Sequence, residues 1–325
     1  MTKQYIKYIL IGLFVFIYTS CDENEIFEKE LYEKFVYIVS DENKTFDLVY
    51  SLDDESPVSE VSVAVSGTRK IDNDVRVTLE RDTLLLNKYN TSNFETEDKY
   101  AKELGLDLFN IPSMSLIISK NGVNPYGTLP IYIGQSALES LSPDSTYFVP
   151  LAIKDISTYA INPEGRNVLG RIHKKNIYAE TKNTTFYTLK GYQIKVKDGT
   201  SSISSISGSK IYHPMTRNKV RTFVGNKPFT ANIDSIGKYA MTITVDTENR
   251  ILLGKYDNNS TTLEIEQLEP ESTPNFLYQN VYDKKQNRFF LYYRYRVKDG
   301  SGKWGDWFII QEADKRLLDE ETEDI

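Results

Sequence analysis

Short runs of alternating apolar and polar residues, separated by turn-forming clusters, recur along most of this 325-residue chain. Residues 61–65 place a valine at every second position, and the pattern returns at 75–79 after an Asp-Asn-Asp cluster at 72–74. Because neighbouring side chains of a strand point to opposite faces, this period of two predicts strands with one apolar face. Such faces are buried against a second sheet or by closing one sheet on itself, so the chain is predicted to be all-β.

The first half of the chain predicts an immunoglobulin-like β-sandwich over residues 35–175. Its apolar runs are short and are bounded by Gly, Asn and Asp turn signals, as in sandwiches of about seven strands. Residues 96–105 instead contain helix formers and end in Gly105, which predicts a short helix or an ordered loop. The predicted strands lie at residues 61–65, 75–79, 115–119, 128–133, 147–153 and 166–172.

The second half, residues 186–318, is also predicted to be β, with short turns between consecutive strands. Sequential strands with tight turns favour antiparallel neighbours, and about eight of them can close on themselves. We therefore predict an antiparallel up-and-down β-barrel of the lipocalin or calycin type, with a second β-sandwich as the alternative. A polar linker at 176–185 joins the halves, and an acidic tail follows at 319–325. The predicted strands lie at residues 192–196, 220–224, 239–245, 251–256, 263–268, 276–282, 289–297 and 304–310.

Cys21 is the only cysteine, and it follows a short apolar N-terminal segment. Residues 1–20 contain two lysines, an apolar run at 9–17 that is too short to span a membrane, and small residues before the cysteine. This pattern predicts a lipoprotein signal peptide, cleaved so that Cys21 becomes the lipid-anchored first residue. Residues 21–34 then form an acidic tether. The alternatives are an ordinary signal peptide with a stray cysteine, or an uncleaved anchor.

The chain is acidic, with a formal net charge of −7. Loss of the two lysines of the signal peptide would bring the mature charge to about −9. An acidic balance argues against nucleic-acid binding and against a polybasic face for membranes. Because Cys21 is the sole thiol, no disulfide is predicted in the folded part, and its stability has to come from two hydrophobic cores.

Motifs for catalysis are absent from the sequence, which contains no HExxH, no GxSxG and no phosphate-binding glycine loop. His173 and His213 are far apart along the chain and lack carboxylate or cysteine partners at metal-ligand spacing. They are predicted to be structural residues, His173 an exposed one. The acidic clusters at 53–55 and 72–74 suit turns better than calcium sites. We therefore predict no catalytic residues, no cofactor and no metal.

Aromatic side chains near the end of the chain suggest a binding surface. Trp304 and Trp307 follow the last hairpin turn, and the strand before it is rich in Phe, Tyr and Arg. Alternation puts Tyr292 on the outer face with the arginines, or in a lumen if the barrel has one. A flat ring with a polar tip suits the C–H face of a sugar. Trp304, Trp307 and Tyr292 are thus predicted to bind glycan, with burial in the barrel core as the alternative.

Several stretches resemble modules of Bacteroidetes surface lipoproteins. Residues 60–79, 88–90 and 147–153 are similar to an N-terminal module known as domain of unknown function 1735. Residues 287–295 and 304–307 resemble a companion module, domain of unknown function 4361. Such proteins accompany SusC/SusD-like outer-membrane glycan importers, so the resemblance implies surface glycan binding, and it brings no catalytic residues with it.

The residues after the predicted acylation site fit the same resemblance. Asp22, Glu23, Asn24 and Glu25 form an acidic run that resembles the export signal of Bacteroidetes lipoproteins. The resemblance therefore implies an outer-membrane, lipid-anchored protein exposed at the cell surface. The same run can also act as a solvated spacer that holds the folded part away from the lipid headgroups.

The sequence leads to three functional hypotheses. The first is a non-catalytic surface lipoprotein that binds poly- or oligosaccharide for a SusC/SusD-like uptake complex. The second is a structural or adhesin-like lipoprotein that contacts protein partners through strand edges. The third is a cryptic glycan hydrolase. The predicted partners are a carbohydrate ligand, the transporter complex and the outer membrane, and nucleic acid is not among them.

Overall fold

The computed structural model describes residues 33–67, 69–197, 199–228, 233–257, 260–270 and 277–317. The predicted signal peptide, Cys21, the run Asp22–Glu25 and the acidic tail lie outside these residues. The described part is nearly all β, and the predicted fold is confirmed: a β-sandwich is followed by a nearly closed barrel-like sheet. None of the described helices is long and apolar enough to cross a membrane.

The sandwich consists of two sheets. Its strands are β1 (Phe35–Ile38), β2 (Thr45–Ser51), β3 (Val58–Val65), β4 (Val75–Arg81), β5 (Lys102–Glu103), β6 (Phe109–Asn110), β7 (Ser115–Ile118), β8 (Tyr126–Ile133), β9 (Tyr147–Ile156), β10 (Ala160–Ile161) and β11 (Asn167–Lys175). One sheet has the order β10-β1-β3-β8-β6, and the other has the order β2-β11-β9-β4-β7 with β5 beside β9. The apolar faces of the two sheets enclose the first core.

The predicted alternation is present in β3, where Val61 and Val63 are fully buried between the sheets. Strand β9 differs because it is buried on both faces and therefore consists of a continuous apolar run. Helix α1 (Leu84–Asn93) covers its outer side, where Leu86 packs with Phe148 and Leu169.

Of the two alternatives predicted for residues 96–105, the ordered loop is present, and the helix of this region, α1, precedes it. Residues 96–105 contain only a 3₁₀ turn at Glu97–Lys99 and the short strand β5. The segment is fixed instead by Asn90 of α1, whose side chain donates to the carbonyl of Ala101 and accepts from its amide, both at 2.9 Å. This pair of bonds orders the segment without a helix. A second helix, α2 (Gln135–Ser140), precedes β9.

The barrel is one antiparallel sheet of nine strands. They are β12 (Thr185–Lys197), β13 (Thr200–Thr216), β14 (Lys219–Phe223), β15 (Ala240–Val245), β16 (Ile251–Lys255), β17 (Leu263–Gln267), β18 (Val281–Asp283), β19 (Arg288–Val297) and β20 (Trp307–Arg316), with helix α3 (Ile233–Tyr239) before β15. The order is β16-β15-β14-β13-β12-β20-β19-β17, and β18 also pairs with β19. The long strand β13 is missing from the sequence prediction.

Two contacts bring the ends of this sheet together. The amide of Ile251 in β16 donates to the carbonyl of Asn280, just before β18, at 2.8 Å. Farther along, the side chain of Gln267 in β17 donates to the carbonyl of Ile251 at 3.0 Å and accepts from the amide of Leu253 at 2.9 Å. The side chain of Gln267 thus pairs with a backbone carbonyl and a backbone amide at the edge of β16, as a neighbouring strand would. Fewer backbone groups of that edge are then left without a hydrogen bond.

Aromatic side chains fill the lumen of the barrel, among them the fully buried Tyr187, Tyr212 and Phe289. The predicted linker at 176–185 contributes to this core. Tyr178 is buried there, and its carbonyl accepts a hydrogen bond from the hydroxyl of Tyr187 at 2.9 Å. The segment that joins sandwich and barrel is therefore packed. The predicted domain bounds themselves stay a prediction.

Gly191 marks a close approach of β12 and β20. A Cβ atom at this position would collide with the carbonyl of Gln311 and lie 2.8 Å from the Cα of Glu312. At Gly208 in the adjacent β13, nothing lies within 4 Å of such an atom. We expect Gly191→Ala to lower the free energy of unfolding by at least about 2 kcal/mol, because paired backbone cannot move aside.

Gly208→Ala is the matched control and should change the free energy of unfolding by less than about 0.5 kcal/mol. Urea unfolding followed by tryptophan fluorescence measures both variants, since the chain's two tryptophans, Trp304 and Trp307, lie in the barrel. Equal unfolding midpoints for the two variants would contradict the close approach at Gly191.

Candidate functional site

The outer wall formed by β12, β20 and β19 carries aromatic side chains at the surface. The strand registers place Tyr192 opposite Gln311, and Gln311 opposite Tyr292. The neighbours of Gln311 along β20, Ile310 and Glu312, are fully buried in the lumen, so this row faces outward. Tyr192, Gln311 and Tyr292 are called the tyrosine row below.

The tyrosine row is accessible. Tyr192 is 47% exposed and Tyr292 is half-buried. Neighbouring strands lie about 4.8 Å apart, so the backbones of the two tyrosines are about 10 Å apart, with Gln311 between them. Tyrosine offers a flat apolar ring with a hydroxyl, and the amide both donates and accepts hydrogen bonds. The row therefore combines ring surface with planar polar groups, which suits a sugar.

Beside the row, the two tryptophans lie among cationic side chains. The guanidinium groups of Arg294 and Arg296 lie 4.4 and 4.6 Å from the ring centroid of Trp307. The guanidinium group of Arg296 and the ammonium group of Lys298 each lie 4.9 Å from the ring centroid of Trp304. These five residues are called the cation ladder. Each such contact stabilises the wall by about 0.5–1 kcal/mol when it is exposed.

The arginines of the cation ladder are also ion-paired with the neighbouring strand. Arg294 pairs with Glu266, and Arg296 pairs with Glu264, both in β17. The ladder thereby ties β19 to β17 as well as to the tryptophans. A sugar that stacks on either indole ring has to share that ring with cations already in contact with it.

The structure brings the three predicted glycan-binding residues onto one wall, in two different settings. Tyr292 belongs to the tyrosine row, whereas Trp304 and Trp307 belong to the cation ladder. Sequence reasoning missed Tyr192 and Gln311, because alternation assigns a face within one strand and does not give the register between strands. A role of these residues in binding stays a prediction.

Behind this wall, the lumen contains a buried charge cluster. The ammonium of Lys210 lies 2.6 Å from Glu312 Oε1 and 3.2 Å from Asp314 Oδ2. Tyr212 donates to Asp314 at 2.6 Å, and Tyr293 donates to Glu312 at 3.0 Å. All five residues are at most 3% exposed. They are called the lumen cluster.

Two ionised carboxylates against one ammonium would leave a net charge in an apolar interior, which is costly. Burial and the nearby Asp314 together raise the pKa of Glu312 to about 8, although Lys210 opposes both. Burial lowers the pKa of Lys210, but the two carboxylates outweigh burial, and that pKa is raised. At neutral pH the cluster therefore holds a proton on Glu312, and the ammonium faces one carboxylate charge.

The prediction that His173 is exposed is wrong. His173 is 5% exposed at the junction of sandwich and barrel, and its Nε2 lies 2.9 Å from Asp47 Oδ1. Burial, together with the nearby Arg221 and Lys174, lowers the pKa of His213 to about 3, so this imidazole is neutral. Both histidines line one cleft. Asp47 could not be found from sequence spacing, because β2 and β11 pair over a long separation.

Among the residues that the structure describes, no group of three or more His, Cys, Asp or Glu side chains could hold a metal ion. The two acidic clusters considered in the sequence have protein partners. Asp74 accepts a hydrogen bond from the amide of Lys120 at 2.9 Å, and Asp53 lies 3.7 Å from Arg217. These contacts are those of turn and surface residues.

Comparison with known families divides the chain near the end of the sandwich. A family model described as an N-terminal domain matches residues 32–160, and a model described as a C-terminal domain matches residues 166–312. The first covers β1 to β10, and the second begins with β11 and extends into β20. No curated protein matches the chain.

Several Bacteroides proteins of known structure share the fold. A multidomain protein from Bacteroides ovatus that includes DUF1735 has a TM-score of 0.62 at 14% identity, over 88% of this chain and 98% of that one. A Bacteroides ovatus protein of unknown function has a TM-score of 0.61 at 12% identity, over the same shares. An auxiliary nutrient binding protein from Bacteroides thetaiotaomicron has a TM-score of 0.58 at 15% identity, over 85% of this chain and 92% of that one. At these identities the likeness establishes the fold alone.

Glu312→Gln tests the proton of the lumen cluster. The free side chain ionises near pH 4.5, whereas the folded protein keeps this proton to about pH 8. The raised pKa therefore makes its full contribution to the free energy of unfolding below about pH 4.5. This contribution is lost as the pH rises through about 8, by up to about 1.4 kcal/mol per pH unit. Glutamine carries no charge at any pH, so the variant should gain stability relative to the wild type between pH 5 and pH 8.

Urea unfolding at pH 5, 6.5 and 8 measures this difference, and the exposed Glu164→Gln serves as the control whose stability should follow the wild type. A constant difference between Glu312→Gln and the wild type across this pH range would show that Glu312 is ionised in the folded protein.

Proposed function

We propose that this chain is a lipid-anchored surface protein that binds poly- or oligosaccharide without transforming it and passes it to a SusC/SusD-like uptake complex. The tyrosine row carries the proposal, because it presents two accessible rings and an amide on one wall. The fold shared with an auxiliary nutrient binding protein supports a binding role. The resemblance to Bacteroidetes surface lipoproteins supports the compartment.

The binding mode follows from the arrangement of the wall. Sugar rings stack their C–H faces on Tyr192 and Tyr292, and the amide of Gln311 exchanges hydrogen bonds with their hydroxyls. The row needs little rearrangement, because its strands are held in register by paired backbone on both sides of β20. Contacts of this kind are individually weak, and tethering beside a transporter compensates through a high local concentration.

Cys21 supplies the tether in this proposal, and the acidic run Asp22–Glu25 directs export to the outer face of the outer membrane. The sandwich then stands between the lipid and the barrel as a spacer. Several acyl chains make the attachment durable, since each buried CH₂ contributes about 0.8 kcal/mol and a single chain gives only marginal binding.

One observation favours a second candidate function, contact with a protein partner. Ile203 of β13 is 70% exposed on the same outer face, where it pairs with Ile194 of β12. Exposed apolar side chains beside aromatic ones are common at protein interfaces. This alternative corresponds to the adhesin-like hypothesis.

Removal of either ring of the tyrosine row should weaken glycan binding. We expect Tyr192→Ala and Tyr292→Ala each to weaken affinity by about 2- to 13-fold, as loss of an aromatic contact of about 0.5–1.5 kcal/mol implies. Native affinity electrophoresis against a panel of plant and host polysaccharides measures the effect as a loss of retardation.

Tyr126→Ala is the matched control, because Tyr126 is 50% exposed on the sandwich. Trp304→Ala reports separately on the cation ladder. If it abolishes retardation while Tyr192→Ala does not, the glycan binds the ladder and not the row. A wild-type protein that no polysaccharide retards would overturn the proposed function.

Cys21→Ser tests the anchor. Without a thiol to acylate, the protein should move from the detergent phase to the aqueous phase in a cloud-point partition of whole-cell extracts. The wild type, expressed in parallel with its own signal, should stay in the detergent phase. Equal partitioning of the two forms would show that Cys21 carries no lipid.

A further inference from the structure

A cleft of about 160 Å³ lies where the sandwich meets the barrel. Its walls come from the loop between α2 and β9, from the end of β11, from residues 180–184 and from His213 of β13. Ligand sites often occupy such positions between two packed units. This volume is below the range of about 300–1,000 Å³ that is usual for larger ligands, so it suits a single small ring.

Two ionisable side chains of opposite sign line this cleft. Arg171 of β11 and Glu180 are both half-buried. Among the described residues, neither side chain has a hydrogen bond or an ion pair, and no ion pair joins the two. Since half-buried ionic groups normally find partners, their hydrogen-bonding capacity is left to the contents of the cleft.

The other basic groups nearby are committed to the protein. His173 is held by Asp47 at 2.9 Å. Lys174 donates to the carbonyls of Leu138 and Leu141 at 3.1 and 2.7 Å, where α2 ends. Among the described residues that line the cleft, Arg171 is therefore the cation whose side chain is left to bind a ligand.

The walls of the cleft are fixed from both sides of the junction. Asp144 of the loop between α2 and β9 lies 2.6 Å from the guanidinium of the buried Arg221 in β14. The hydroxyl of Tyr256, at the end of β16, donates to the same carboxylate at 2.8 Å. From the other direction, Asn176 donates to the carbonyl of Thr216 at 2.8 Å. Such a shell holds Arg171 and Glu180 in place before any ligand arrives.

The chemistry of these side chains matches a neutral sugar. Guanidinium groups only donate hydrogen bonds, and carboxylates only accept them, so together they satisfy hydroxyls that do both. Tyr147 also lines the cleft and adds an aromatic surface. An acidic sugar is disfavoured because its carboxylate would meet Glu180, and a basic one because it would meet Arg171.

We propose that this junction cleft is a second carbohydrate subsite, which binds one neutral pyranose through Arg171 and Glu180. The inference rests on the proposed glycan-binding function and adds a site that recognises a single ring, apart from the tyrosine row. The cleft then selects a single sugar unit, whereas the tyrosine row binds several units along the polysaccharide.

Isothermal titration calorimetry with neutral monosaccharides (glucose, galactose, mannose and N-acetylglucosamine) tests this site, with glucuronate as the acidic probe. We expect at least one neutral sugar to bind more tightly than glucuronate. Arg171→Met and Glu180→Gln should each weaken its binding at least 10-fold. Arg250→Met and Glu248→Gln, on an exposed turn of the barrel, should leave it unchanged. Arg171→Lys keeps the charge without the planar fork and should weaken binding if the variant is folded by circular dichroism.

The outcomes separate this inference from the proposed function. If polysaccharides bind in a manner sensitive to Tyr192→Ala, and neither cleft variant changes monosaccharide binding, the subsite is absent and the proposed function stands. If glucuronate binds more tightly than every neutral sugar, the assignment to a neutral ring is overturned. If neither polysaccharide nor monosaccharide binds the wild type, both proposals fall.

Discussion

The register of β20 between β12 and β19 is the constraint on which both faces of the barrel wall depend. Residues of β20 alternate between lumen and surface, so a slip by one position would exchange the buried Glu312 with the outward Gln311. Lys210 opposes that slip, because its ammonium is paired with two carboxylates of the same strand. Gly191 opposes it as well, since it admits the β20 backbone where a side chain would not fit. The buried polar contacts inside the wall therefore position the tyrosine row outside it.

A second set of polar contacts joins the sandwich to the barrel. Asp144 of the sandwich pairs with Arg221 of β14, and Asn176 donates to the carbonyl of Thr216 at the end of β13. Burial lowers the pKa of the Arg221 guanidinium, and the carboxylate of Asp144 opposes that effect. Since a buried charge that loses its partner is strongly destabilising, contacts of this type resist separation of the two units. The junction is therefore a fixed element and can support a cleft of defined shape.

The features that could be predicted from the sequence are those that depend on the alternation of apolar and polar residues within one strand. The period of two identified β3 and β19, and it placed Tyr293 in the lumen, because each depends on one strand facing one core. Strand β13 was missed because the buried Lys210 occupies a lumen position and breaks the apolar alternation. Its place there makes sense only once β20 supplies the opposing carboxylates. Tyr192 and Gln311 of the tyrosine row, and the junction cleft, were missed for a related reason, since they are brought to their neighbours from strands distant in sequence.

The cation ladder also bears on what the wall can select. Glu264 and Glu266 compensate Arg296 and Arg294, so within the described residues only Lys298 of the ladder lacks a carboxylate partner. A wall with so small a surplus of charge attracts acidic and neutral glycans almost equally at physiological salt, because exposed charges are screened within about 8 Å. Discrimination between sugars then has to come from direct contacts with a single sugar ring. Such contacts require a preformed concave site, and of the two sites argued for this chain only the junction cleft has that shape.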